Sequence, residues 1–168
     1  MSKTTIPQRR LCGTLAIAAA AALAFGAAAS AQAGECPAGQ FAADGKGQPM
    51  SKAGASGVTD TVITSTELAK EPVAIQGRLL RARKLDIAPG GVVPWHSHSD
   101  RPALLLIASG EITEYASTCK VPIVHKAGDI TPERHPTAHW WKNTGTQPVV
   151  IYSFDLFSKE DKKDEHMM

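Results

Sequence analysis

The chain has few aromatic rings, few cysteines and no surplus of either charge. Phenylalanine, tryptophan and tyrosine supply only 5% of its 168 residues, so each ring carries much of whatever core forms. Eighteen lysines and arginines stand against sixteen aspartates and glutamates. That balance excludes an acidic disordered chain and a strongly basic nucleic-acid binder. The length suits one domain and excludes a large multidomain enzyme. Also missing are a Gly-x-Ser-x-Gly elbow, a phosphate loop, a dinucleotide fingerprint, a sustained 3.6-residue period and any repeat of solenoid length.

One long apolar run is present, from Leu11 to Ala29, and it follows a positive opening of Lys3, Arg9 and Arg10. Ala31-Gln32-Ala33 then offers small residues in the spacing a signal peptidase accepts. Residues 1–33 are read as a cleaved export signal, which places the mature chain in the periplasm or outside the cell. Neither Cys12 nor Cys36 follows a lipobox, so no lipid anchor is expected. The signal holds three of the eighteen bases and no acid, leaving fifteen bases against sixteen acids and a net charge of −1. Electrostatics therefore offers no nucleic acid or anionic membrane as a partner. Cys36 and Cys119 survive cleavage, and an even pair in an exported chain suggests one disulfide, worth about 4 kcal/mol in the chain-entropy model.

Residues 34–57 are rich in Gly, Ala, Ser, Pro and Lys and read as a strap or linker. From Val58 the pattern becomes a succession of short strands. Val58 to Ile63, Arg78 to Ile87, Val92 to His98, Ala103 to Ala108, Glu111 to Ser117, Val121 to His125, Ala138 to Asn143 and Val149 to Phe157 are separated by Gly and Pro turns. Strands at this spacing mean an all-β sandwich or barrel over 58–158. Residues 159–168 form a charged tail, in which His166 beside Met167 and Met168 is a weak soft-metal site at most.

Five of the six histidines fall between His96 and His139. His96 and His98 stand two apart on one strand, so both rings share a face. His139 begins another strand and could bring a third imidazole. Three imidazoles with an open position suit a catalytic metal; an isolated His-x-His also suits a polar pair on an outer face.

Two segments resemble the paired motifs of the cupin family. GGVVPWHSHSDRPALLLIASG, from Gly90 to Gly110, is similar to the first, and GDITPERHPTAHWWKN, from Gly128 to Asn143, to the second. The resemblance implies a jelly-roll barrel, a double-stranded β-helix. Its interior pocket would hold one divalent transition metal (Zn, Fe, Mn, Ni or Cu) on His96, His98 and His139. The family's usual glutamate after the His-x-His spacer is replaced by Pro102 and Ala103. Asp100, His135 and Glu111 are the substitutes available, beside a three-histidine site completed by water. The function implied is an exported metal-dependent cupin acting on or binding a small polar molecule, of oxygenase, isomerase or lyase type if it is an enzyme. A non-catalytic binding module and a metal-free structural barrel are the alternatives, and a homodimer is the assembly the family suggests.

Other residues have plainer readings. Trp141 and Asn143 share parity with His139 and would line the pocket, Asn143 by holding a turn. Trp140 would face outward, and Trp95 belongs to core or interface. Arg81 and Arg83 alternate on one strand face and read as solvated charges, or as an anion clamp if turned inward. Arg101 is expected to pair with Asp100, and His125, beside Lys126, to be exposed. Cys119 has no activating neighbour in sequence.

Overall fold

The computed structural model describes residues 34–160. The export signal, its cleavage point and His166 lie outside those residues. Within them the chain is all-β: β1 (Ser56–Glu67), a 3-10 turn (Leu68–Lys70), β2 (Arg78–Ser97), β3 (Ala103–Ser109), β4 (Glu111–Ala116), β5 (Ile123–Lys126), β6 (Ile130–Glu133), β7 (Ala138–Lys142) and β8 (Val149–Ser158). The strands join in the order β5-β4-β7-β2-β8-β3-β6, with β1 paired to β2. The sheet curls on itself into a half-barrel, as the expected all-β jelly roll requires.

β2 organises the curl. The turn expected at Pro89-Gly90-Gly91 does not end a strand; β2 runs through it for 20 residues and bends. Before the bend, Arg78 to Ile87 pairs with β8 on one side and β1 on the other; after it, Val92 to Ser97 pairs with β7. One strand thus serves two sheets, β1-β2-β8-β3-β6 and β2-β7-β4-β5. Glycine is needed at the bend: Gly90 takes a φ of 77°, and a Cβ on Gly91 would meet Ala88 O at 2.8 Å. Asn143 staples the place, its backbone N–H donating to Gly91 O and its side-chain amide to Ile87 O and Gln147 O.

Alternation decides what lies inside. Leu85, Ile87, Val93, Leu105, Ile107, Ile112, Trp141, Val149 and Ile151 form the core, each side chain worth roughly 1.5–3 kcal/mol on burial. The same inward row of β2 carries Arg81 and Arg83, which overturns their reading as solvated charges. Both are buried, 4% and 1% exposed. Arg81 grips Asp155 with Nε at 2.9 Å and Nη2 at 2.6 Å and lies over the Phe157 ring. Arg83 spans Asp155 and Asp60. Their charges are spent inside the chain, which leaves no free clamp for an anion.

The strap crosses one mouth of the barrel. Cys36 and Cys119 are bonded as a disulfide across 83 residues of sequence. Phe41 makes a β-bridge with Cys119, and the N–H groups of Ala42 and Gly47 donate to Thr118 O and Ser117 O. Trp140, half-buried, stacks flat on Tyr115 at 4.0 Å and donates from Nε1 to Pro49 O of the strap. Trp95 is also half-buried.

Candidate metal centre

A bulge in β2 aims the first histidine. Val93 pairs with Trp141 and His96 with His139, so β2 advances three residues where β7 advances two. The extra residue reverses parity and turns His96, rather than Trp95, toward the row of His139 and Trp141. His98 lies just past the strand end, held by its N–H donating to Thr137 O. His139 sits in β7 with Trp141 edge-on to it, ring centroids 5.4 Å apart. The three imidazoles converge, with centroids 4.6–4.9 Å apart.

A carboxylate that the sequence reading passed over completes the group. Glu133 ends β6, is 4% exposed and points at the histidines. The donor atoms of His96, His98, Glu133 and His139 all lie within 4.8 Å of one another. Asp100, His135 and Glu111 are not brought there. Asp100 is exposed and paired with Arg78, which also replaces the expected pairing with Arg101. His135 is exposed in the β6–β7 connection, and Glu111 is exposed near Lys126. Arg101 is instead buried.

Each ring is turned the same way. His96 Nδ1 donates to Pro94 O at 2.9 Å, His98 Nδ1 to Arg101 O at 2.7 Å, and His139 Nδ1 to Glu114 Oε1 at 2.5 Å. A carbonyl oxygen only accepts, so the proton sits on Nδ1 and the Nε2 lone pair faces inward. Trp141 Nε1–H donating to His139 Nε2 agrees with that tautomer. His96 Nε2 and His139 Nε2 then stand 3.1 Å apart, lone pair toward lone pair. Glu133 Oε2 is 2.9 Å from His98 Nε2 and Oε1 is 3.3 Å from His139 Nε2. Yet neither Glu133 oxygen nor His98 Nε2 has an aligned hydrogen-bond donor.

Such a concentration of acceptors is costly when buried and asks for a cation. Four donors about 2.0–2.2 Å from one ion stand roughly 3.0–3.4 Å apart along the edges of its coordination polyhedron. The three spacings just given fall at or near that range, so the residues fit a divalent ion. Imidazole with carboxylate suits Zn, Fe, Mn, Ni or Cu.

The surroundings set the charges. Burial alone would raise the Glu114 carboxyl, but His139 and a hydrogen bond from His125 outweigh it and hold it down at about 2. Glu133 is lowered against the same burial by His98 and His139. His96 is pushed well below its ordinary value, first by burial and then by its two neighbouring imidazoles. His139 goes the other way: burial opposes its charged form, and Glu133 and Glu114 together raise it.

His125, expected to be exposed, is also placed differently by the structure. It is fully buried, and its Nε2 meets Glu114 Oε2 at 2.8 Å. Its ring lies 4.5 Å from that of Trp141. The strand text Ile123-Val124-His125-Lys126 alternates correctly; only the choice of inward face was wrong. A cleft of about 130 Å³ lies between the strap and the group, bordered by Gly34, Cys36, Phe41, Glu114, Glu133 and His139 among others. Trp141 and Asn143 do not border it: Trp141 packs behind His139, and Asn143 holds its turn.

Comparison with known proteins falls on these same strands. The family model described as "Cupin domain" matches residues 83–155. A germin-like protein 5-1 of Oryza sativa subsp. japonica is 31% identical over 77 residues, covering 43% of this chain and 34% of that protein. Auxin-binding protein ABP19b of Prunus persica is 30% identical over 81 residues, 46% of this chain and 39% of that one. The chain thus spans well under half the length of these two curated relatives. Among solved structures, a predicted oxalate decarboxylase from Thermotoga maritima has TM-score 0.48 at 18% identity, over 60% of this chain and 80% of that one. The matched stretch opens at Arg83 in β2, closes at Asp155 in β8 and contains all four converging residues, and this stretch is a cupin domain.

Proposed function

We propose that this chain is an exported cupin that holds one divalent transition metal on His96, His98, His139 and Glu133 and uses it on a small polar molecule entering beneath the strap. The observation that carries the reading is a group of buried acceptors turned on one another: both Glu133 oxygens and His98 Nε2 have no donor, and the Nε2 atoms of His96 and His139 face each other at 3.1 Å. An ion bound there supplies Lewis acidity toward an oxygen ligand. The chain's own residues do the rest. Pro94 O, Arg101 O and Glu114 fix the three rings through Nδ1. Trp141 closes the back of the site to water, and the cleft beneath the strap gives a guest its way in. A disulfide is compatible with an oxidising compartment, which supports export.

The relative's name, auxin-binding protein, favours a second reading in which the same cleft retains a small organic ligand without transforming it. Elemental analysis tests the metal first. Protein isolated from an oxidising compartment should carry about one transition-metal ion per chain. His98→Ala and Glu133→Gln should each lower that stoichiometry at limiting metal while leaving a folded barrel. Wild-type protein that takes up no metal when offered Zn, Fe, Mn, Ni and Cu in turn would overturn the reading.

A further inference from the structure

A line of hydrogen bonds leaves the metal centre and stops at the strap. His139 Nδ1 bonds Glu114 Oε1 at 2.5 Å, and Glu114 Oε2 meets His125 Nε2 at 2.8 Å. The other nitrogen of His125, Nδ1, is buried and has no partner. With Nε2–H turned to a carboxylate, Nδ1 carries a lone pair, and a buried acceptor left without a donor costs about 1–3 kcal/mol. The residue packed on it is Gly34, itself buried. A Cβ on Gly34 would sit 2.9 Å from His125 Nδ1 and 3.6 Å from Asp129 Cβ, and φ at this position is 87°. Only glycine fits there on both counts.

Gly34 is also the residue that follows Ala31-Gln32-Ala33, where export processing is expected to cut. We propose that cleavage after Ala33 docks the new α-amino group of Gly34 on His125 Nδ1, making the mature N-terminus the last member of the shell that orients His139. The cleavage is a hydrolysis: water gives its oxygen to the new carboxylate of Ala33 and its protons to the amine of Gly34. A peptide N–H has one fixed direction, and at Gly34 it leaves Nδ1 unserved. An ammonium has three donors and turns freely about the N–Cα bond. The charge suits its surroundings, since Glu35, Glu114 and Glu133 border the same cleft. The docked end is tethered close by: Cys36 is bonded to Cys119, and Gln40 N–H donates to Pro37 O. Much of the ordering entropy of a free terminus is therefore already spent.

This inference rests on the export reading, and the experiment separates the two. Mass spectrometry of the exported protein should give Gly34 as first residue; any other start overturns both the cleavage site and the docking. Protein beginning at Gly34 is then compared with the same chain carrying one added alanine, each in the wild-type and His125→Phe backgrounds. The extension should lower the folding equilibrium constant roughly five- to 150-fold in the wild type and leave it unchanged in His125→Phe. Equal losses in both backgrounds, or no loss in the wild type, overturn the docking and leave the place to a water. Should His125→Phe fail to fold, the ¹⁵N shift of His125 Nδ1 decides: it moves on extension if the amine is its donor and stays put if not. Zinc stoichiometry measured on both forms keeps the metal reading independent, because the extended chain retains all four ligands.

Discussion

Glu114→Gln is the sharpest probe of how the centre is held. The carboxylate accepts from two rings at once, His139 Nδ1 at 2.5 Å and His125 Nε2 at 2.8 Å, and it stays ionised because its carboxyl is held down at about 2. Glutamine preserves the shape but presents one oxygen and one NH₂. It can accept from only one of the two rings. If the NH₂ faces His139, that ring must move its proton to Nε2, into the space where the ion belongs. If it faces His125, that ring meets a donor with a donor. Removing a partner of this kind typically weakens metal binding 10–100-fold, about 1.4–2.8 kcal/mol. Competition for Zn²⁺ against a chelator of known affinity reads the effect directly. The stoichiometry should remain one ion per chain at saturation while Kd rises by that factor. Glu111→Gln, exposed at the start of β4, should leave Kd unchanged. A Glu114→Gln protein that binds within twofold of wild type would show that the second oxygen does not matter, and the argument from ring orientation would fall with it.

Two stability predictions follow from the ion network and the strap. Asp155→Leu leaves Arg81 and Arg83 buried without their shared carboxylate, and should cost about 3–5 kcal/mol in urea unfolding; adding Arg81→Met should recover part of it, and a loss below about 1 kcal/mol would contradict the network. Replacing Cys36 and Cys119 together by Ser removes a cross-link spanning 83 residues. It should lower the unfolding free energy by about 4–5 kcal/mol and expose Lys46 to trypsin first, and an unchanged cleavage pattern would mean the backbone bonds of Ala42 and Gly47 hold the strap alone.

Much of the fold could be read from alternation and turn residues, and the exceptions share a cause. β3, β4, β7 and β8 follow the sequence reading to within a residue or two. β6 escaped because Ile130-Thr131-Pro132-Glu133 is four residues long and contains a proline, which marks an edge strand and otherwise reads as loop. Its buried residues, Thr131 and Glu133, alternate with outward Ile130 and Pro132, a signal too brief to trust without knowing that β3 lies alongside. Arg81 and Arg83 look like surface charges because their partners are remote: Asp155 lies 74 residues from Arg81, and Asp60 lies 23 from Arg83. His125 was misread for want of a sign pointing to Glu114, 11 residues back on the neighbouring strand. The metal-fitting histidines were visible because His-x-His is local, and His139 because the family likeness located it. Glu133 was invisible to both arguments.

The displaced carboxylate changes what the centre does for the barrel. In the reading from motifs it would have come from the spacer just after His98, on the same side of the fold as the histidines. Here it comes from β6, at the far end of the sheet β1-β2-β8-β3-β6, while His96 and His139 belong to β2-β7-β4-β5. The donor set remains three imidazoles and one carboxylate, so the preference for a transition metal is kept. The mechanical consequence differs, because an ion gripped by both sheets would tie the edge strand β6 to β2 and β7, to which it is not hydrogen-bonded. Without a cation, the same mouth sets the Glu133 carboxylate against imidazole lone pairs, and the raised protonation of His139 is the nearest compensation the chain can supply. A proton placed on His139 satisfies one nitrogen and one oxygen, whereas a divalent ion satisfies three nitrogens and a carboxylate together. The arrangement of donors on two sheets is therefore better matched to an ion that spans the gap than to any protonation state of the four side chains.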